Sequence, residues 1–150
     1  MAGVYWSDWI VYRVAIFISH SWKYSHHYDT LSSWIFSGSW NVGGISLEFS
    51  DTSVPKDNPI HNAPNSGALE SAIYERIRQS QVVIIPTGMY ANYSTWIKKE
   101  IAGCSYHQKP ILAVNPWGQK KSSSVVSMAA AETVGWAKNS VVNGVWRLSR

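Results

Sequence analysis

Glu100 is the one side-chain carboxylate in the long stretch between Glu75 and Glu132, within the run Tyr93-Ser94-Thr95-Trp96-Ile97-Lys98-Lys99-Glu100-Ile101. Trp96 precedes it by four residues. In a helix the two share a face one turn apart, with Ile97, Ile101 and Cys104 turned toward a neighbouring face. An indole then offers a stacking surface beside a solitary negative charge. The second polar constellation is Ser19-His20-Ser21-Trp22. Residues adjacent in sequence do not normally form the nucleophile and base of one triad, and no G-x-S-x-G elbow occurs, so these hydroxyls suit ligand hydrogen bonding better than nucleophilic attack. His26-His27 and His61 lack partners at metal-ligand spacing, and no metal is expected.

The elements that must position these groups can be read from hydrophobic pattern. Arg13 to Ile18, Gln81 to Pro86 and Pro110 to Val114 are nearly continuous apolar runs, the mark of strands buried on both faces. Between them Leu69, Ala72, Ile73, Arg76 and Ile77 follow helical spacing, and Tyr93 to His107 forms a second helical segment. An earlier helix is expected over Tyr24 to Ile35, with Tyr28, Leu31 and Ile35 inward. A Gly/Ser-rich connection from Ser37 to Gly44 leads to a strand at Ile45 to Phe49. The long Ser50 to Gly67 segment carries Pro55, Pro59 and Pro64 and has the length of a binding loop. Thr133 to Ala137 reads as the last strand, and Ser140 as the cap of a final helix holding Val141, Val142, Val145 and Trp146. Alternating strands and helices predict an α/β flavodoxin-like three-layer sandwich: a five-stranded parallel sheet with helices on both faces, one domain over residues 1–150. In such a sheet ligands collect beyond the C-terminal strand ends at the switch point. The loops after the first and third strands, Ser19 to Trp22 and Thr87-Gly88, should flank that cleft.

Composition narrows the function classes. The chain has 45% hydrophobic and 15% charged residues, with nine Trp and eight Tyr, so it is globular and rich in aromatic surface. The net charge of +4 is spread out apart from Lys98-Lys99 and Lys120-Lys121, with no basic stripe or reading motif for nucleic acid. The single cysteine, Cys104, suits a reducing cytosol and excludes an internal disulfide. No signal peptide or membrane anchor is indicated, and a cytoplasmic location is expected. A receiver domain would need acidic residues after its first strand and a phosphoacceptor Asp after its third, where Ser19, His20, Ser21, Thr87 and Gly88 stand instead. A flavin phosphate loop is also missing, as are GxGxxG and Walker sequences.

Taken in order, Ile16-Phe17-Ile18-Ser19-His20-Ser21-Trp22, Ser53-Val54-Pro55-Lys56-Asp57, Trp96-Ile97-Lys98-Lys99-Glu100-Ile101, and Lys109-Pro110-Ile111 with Pro116-Trp117-Gly118 form a recognisable set. From about Val14 to Trp146 the sequence resembles the Toll/interleukin-1 receptor (TIR) family, in particular the bacterial TIR-like branch that includes Thoeris anti-phage systems. Residues 1–12, with Tyr5, Trp6, Trp9 and Tyr12, and the Ser37 to Gly44 connection look like additions to the family pattern.

The resemblance implies that Glu100 is the catalytic glutamate of an enzyme that breaks the nicotinamide–ribose bond of NAD, which is then a substrate rather than a cofactor. It further implies a cyclic ADP-ribose product acting on an effector, self-association for activity, and a phage-derived trigger. Beyond Glu100, Trp22 and Trp96 are expected to stack on adenine or nicotinamide, and Ser19, His20, Ser21, Asp51 and Ser53 to bond ribose or pyrophosphate. The rival expectation is a TIR-like adaptor module that assembles with other TIR domains and does no chemistry.

Overall fold

A computed structural model describes residues 11–19, 26–53, 66–87, 90–115 and 124–150. The elements are β1 (Val11–Ile18), α1 (His26–Phe36), β2 (Trp40–Val42), β3 (Ile45–Asp51), α2 (Ser66–Arg78), β4 (Val82–Pro86), α3 (Tyr90–Tyr106), β5 (Ile111–Asn115), α4 (Ser124–Ala129), β6 (Glu132–Gly135) and α5 (Lys138–Ser149). The sheet order is β2-β3-β1-β4-β5-β6, and every pair is parallel except β2 with β3. Among the five parallel strands this is the flavodoxin-like arrangement, with the switch point between β1 and β4.

Six strands stand where five were expected, because part of the Ser37 to Gly44 connection is itself a strand. Gly43 and Gly44 take positive φ (59° and 81°), as a type I′ two-residue hairpin turn requires at both positions. They fold Trp40–Val42 back onto Ile45–Leu47 as an antiparallel edge. Trp40 is anchored by its indole N–H donating to the Ile35 carbonyl at 3.2 Å and by Lys138 over its ring.

The apolar strands do face two cores. Val14, Ile16 and Ile18 of β1, Val82 and Ile84 of β4, and Leu112 and Val114 of β5 pack with Tyr28, Leu31 and Ile35 of α1 and Val141 and Val145 of α5. The alternate residues Phe17, Val83, Ile85, Ile111 and Ala113 pack with Ile73 and Ile77 of α2, Ile97 and Cys104 of α3, and Val126 of α4. Period-two alternation thus assigns each strand residue to one helical layer. On the second face α2 and α3 approach closely at Gly103, where a Cβ would come within 2.9 Å of Ile77 and 3.0 Å of Tyr74.

The C-terminal boundaries differ from expectation in one informative way. β6 ends at Gly135 because Trp136 turns to pack on Trp34, ring centroids 5.0 Å apart. Helix α5 therefore starts at Lys138, with Ala137 at the N-cap position and no side-chain cap bond. Ser140 lies inside the first turn and is not the cap. No helix among the described residues is long and apolar enough to cross a membrane.

Candidate active site

Ser19 directly follows β1 at the switch point. Its N–H donates to the Ile84 carbonyl at 2.8 Å, extending the ladder one residue past Ile18. Strand alternation after Phe17 sends its side chain toward the α3 face. There its hydroxyl donates to Glu100 Oε2 at 2.6 Å, and the Trp96 indole N–H donates to Glu100 Oε1 at 3.0 Å. The expected pairing of Trp96 and Glu100 on one helical face is realised as a direct hydrogen bond.

Glu100 itself sits deeper than its sequence context indicated. Ile97, Glu100 and Cys104 are all buried, with Glu100 at 0% exposure, so the acid occupies a core position in the apolar stripe of α3. Burying a carboxylate costs several kcal/mol, which a helix bears only where donors meet the charge. Two donors to the two oxygens provide part of that compensation. The Cys104 thiol one turn on is pushed well above its ordinary value, first by burial and then by the Glu100 carboxylate. Cys104 is therefore held as a thiol and is no nucleophile. Lys99 ties the same helix to α2 through Glu70, 3.8 Å away.

The end of β3 supports β1 from the other side. Asp51 Oδ1 accepts from the Ser53 N–H at 2.8 Å, and the Ser53 hydroxyl accepts from the Ile18 N–H at 2.7 Å. Thr52 N–H donates to the Ile16 carbonyl at 2.9 Å. These bonds fix the backbone just before Ser19, so Asp51 and Ser53 brace the end of β1. Tyr28 of α1, buried beside them, has its phenol pushed up to about 12 by burial first and by the Asp51 carboxylate second, with the Ser53 hydroxyl bond opposing the rise. It stays neutral at physiological pH. Of the expected contacts, Ser19, Trp96 and Glu100 come together, Asp51 and Ser53 lie one strand over, and His20, Ser21 and Trp22 fall outside the described residues.

Sequence pattern placed Thr87 beside the cleft without naming a contact for it, and it did not single out Asn115 or Thr52. The Thr87 hydroxyl donates to Asn115 Oδ1 at 2.6 Å, joining the residue after β4 to the end of β5. Thr52 Oγ1 is buried without a hydrogen-bond partner among the described residues. The only available signal was their position immediately at or after the ends of apolar strands, where the chain leaves the core.

The family described as Thoeris protein ThsB, TIR-like domain, matches residues 17–121. That span runs from β1 past β5 and contains Ser19, Asp51, Ser53, Trp96 and Glu100. Among curated proteins none matches the chain. With well over half of the sequence matched, and Ser19, Trp96 and Glu100 all within the match, the chain belongs to the TIR-like domain family of the Thoeris protein ThsB.

Proposed function

We propose that this chain is an anti-phage defence enzyme that cleaves NAD at the nicotinamide–ribose bond and closes the remaining ADP-ribose into a cyclic signal for an effector. The observation that carries it is the Glu100 carboxylate, sunk into the core at the C-terminal sheet edge with one oxygen held by Ser19 and the other by Trp96. A buried, oriented carboxylate stabilises positive charge that develops beside it, without reorganising as the charge appears.

NAD cleavage needs little more than that. The pyridinium already carries positive charge, so nicotinamide departs with the electrons of the C–N bond as a neutral base. No general acid is required, unlike ordinary glycosides whose alkoxide leaving group must be protonated. The ribose is left as an oxocarbenium ion opposite Glu100. A purine nitrogen or ribose hydroxyl of the same molecule then forms the new bond to C1′. If a hydroxyl attacks, its proton is released. Folding the substrate makes this step intramolecular and favours it over water by effective concentration.

Glu100 is closed off from solvent, so substrate reaches it only once its cover shifts. That fits an enzyme silent at rest and switched on by a phage-derived trigger through self-association, in the cytoplasm. The same closure favours the rival reading, an adaptor in which the acid is a structural group. Purified protein, assembled by its inducer or by a fused oligomerisation domain, is expected to release nicotinamide from NAD, with a product one water lighter than ADP-ribose. Glu100→Gln is expected to abolish release while keeping the fold. Undiminished turnover in Glu100→Gln, or none in the assembled wild type, rejects the proposal.

A further inference from the structure

The Thr87–Asn115 pair has no part in holding Glu100, yet it lies on the same edge and the same face of the sheet. Thr87 follows Val83 and Ile85, and Asn115 follows Ile111 and Ala113, all packed in the core shared with Ile97 and Cys104 of α3. Alternation therefore sends both side chains toward the layer that carries Glu100. Their register is fixed by Pro86 opposite Val114 and by the Thr87 N–H donating to the Val114 carbonyl at 2.8 Å. β5 lies two strands from β1, which is about 10 Å in the plane of the sheet. Asn115 thus stands about two strand spacings from Ser19, which contacts Glu100, near enough to hold another part of a dinucleotide whose ribose lies at the acid.

The hydrogen bond also decides what Asn115 presents. A 2.6 Å separation is an O–H···O distance, short for an amide donor, so the carboxamide oxygen faces Thr87. Thr87 is fully buried, which locks that orientation, whereas Asn115 is half-buried at the strand end. Its Nδ2 protons then point away from Thr87, and among the described residues no acceptor takes them. A partly exposed, oriented donor pair at the ligand-binding edge of an α/β sheet is built to read an acceptor oxygen.

We propose that Asn115, oriented by Thr87, is a substrate-binding residue of this site that donates to an acceptor oxygen of the dinucleotide away from the scissile bond, either a pyrophosphate oxygen or the nicotinamide carbonyl. This rests on NAD being the substrate. Thr87 is a positioning residue: it acts through Asn115 and touches no substrate.

The test measures NAD turnover by assembled protein and NAD affinity by calorimetry in the Glu100→Gln background, where no chemistry intervenes. Asn115→Leu is expected to raise KM and weaken binding about tenfold or more, the loss of a hydrogen bond to a charged or strongly polar acceptor, with kcat little changed. Thr87→Val should show a smaller change of the same kind, no further change when added to Asn115→Leu, and recovery in Thr87→Ser. Comparing NAD with ADP-ribose separates the two acceptors: equal weakening assigns pyrophosphate, and weakening for NAD alone assigns the nicotinamide carbonyl. Wild-type protein that turns over NAD, with unchanged KM and affinity in folded Asn115→Leu, overturns the proposal and leaves the NAD reading standing. Wild-type protein that neither binds nor cleaves NAD overturns both.

Discussion

Ser19→Ala removes a hydroxyl donor to a fully buried carboxylate and leaves the backbone bond from residue 19 to Ile84 in place. A hydrogen bond to a charged group contributes about 1.5–3 kcal/mol, and both partners here are closed to solvent, so screening takes nothing from that value. For a domain of this length each kcal/mol shifts the melting temperature by about 2–4 °C, giving an expected fall of about 3–12 °C. Glu100→Gln should behave in the opposite sense. It removes a buried charge whose desolvation costs several kcal/mol and keeps an isosteric amide whose oxygen can accept from Trp96 while its NH2 donates to a rotated Ser19 hydroxyl. Its stability is expected to equal or exceed that of the wild type. The two substitutions are then coupled: in the Glu100→Gln background the loss of the Ser19 hydroxyl should cost only about 0.5–1.5 kcal/mol, the ordinary neutral value. Urea unfolding of the four proteins measures the cycle. Equal costs of Ser19→Ala in the two backgrounds would mean that the hydroxyl does not serve the charge, and the account of how α3 tolerates a buried acid would fail.

Two further outcomes follow from groups beside the site. Tyr28 has a phenol raised from 10 to about 12 in the folded chain, so its contribution to stability is complete below pH 10 and is lost as pH rises through about 12. Unfolding measured between pH 10 and 12 should depend less steeply on pH in Tyr28→Phe, and an identical slope in the two proteins counts against the burial assigned to the phenol. Cys104, buried and held as a thiol, should resist a thiol reagent at about pH 8 in the native protein and react at once in urea; rapid native labelling would contradict its place in the core.

Much of this molecule was present in its pattern of residues. The apolar runs ending at Ile18, Pro86 and Val114 identified three parallel strands, because a strand covered on both faces has no polar position to spare. Spacing alone brought Trp96 and Glu100 to one helical face, and the structure joins them by a hydrogen bond. The edge strand at Trp40 was missed because paired glycines mark a flexible connection and a tight hairpin equally well, and only the partner strand distinguishes them. The Ser140 cap failed because Trp136 leaves the sheet for Trp34, a contact between elements far apart in the chain that no local signal carries.

Local pattern was enough for the layering of the fold and for the candidate acid, since both depend on periodicities of two and 3.6 residues. What surrounds that acid came only with packing. The folded chain puts Glu100 inside the core, sets the Ser19 hydroxyl against it across 81 positions of chain, uses Ser53 to brace β1, and pairs Thr87 with Asn115 across two strand ends. Those relations depend on which strands lie side by side and in what register, and register is settled by long-range packing of the whole sheet.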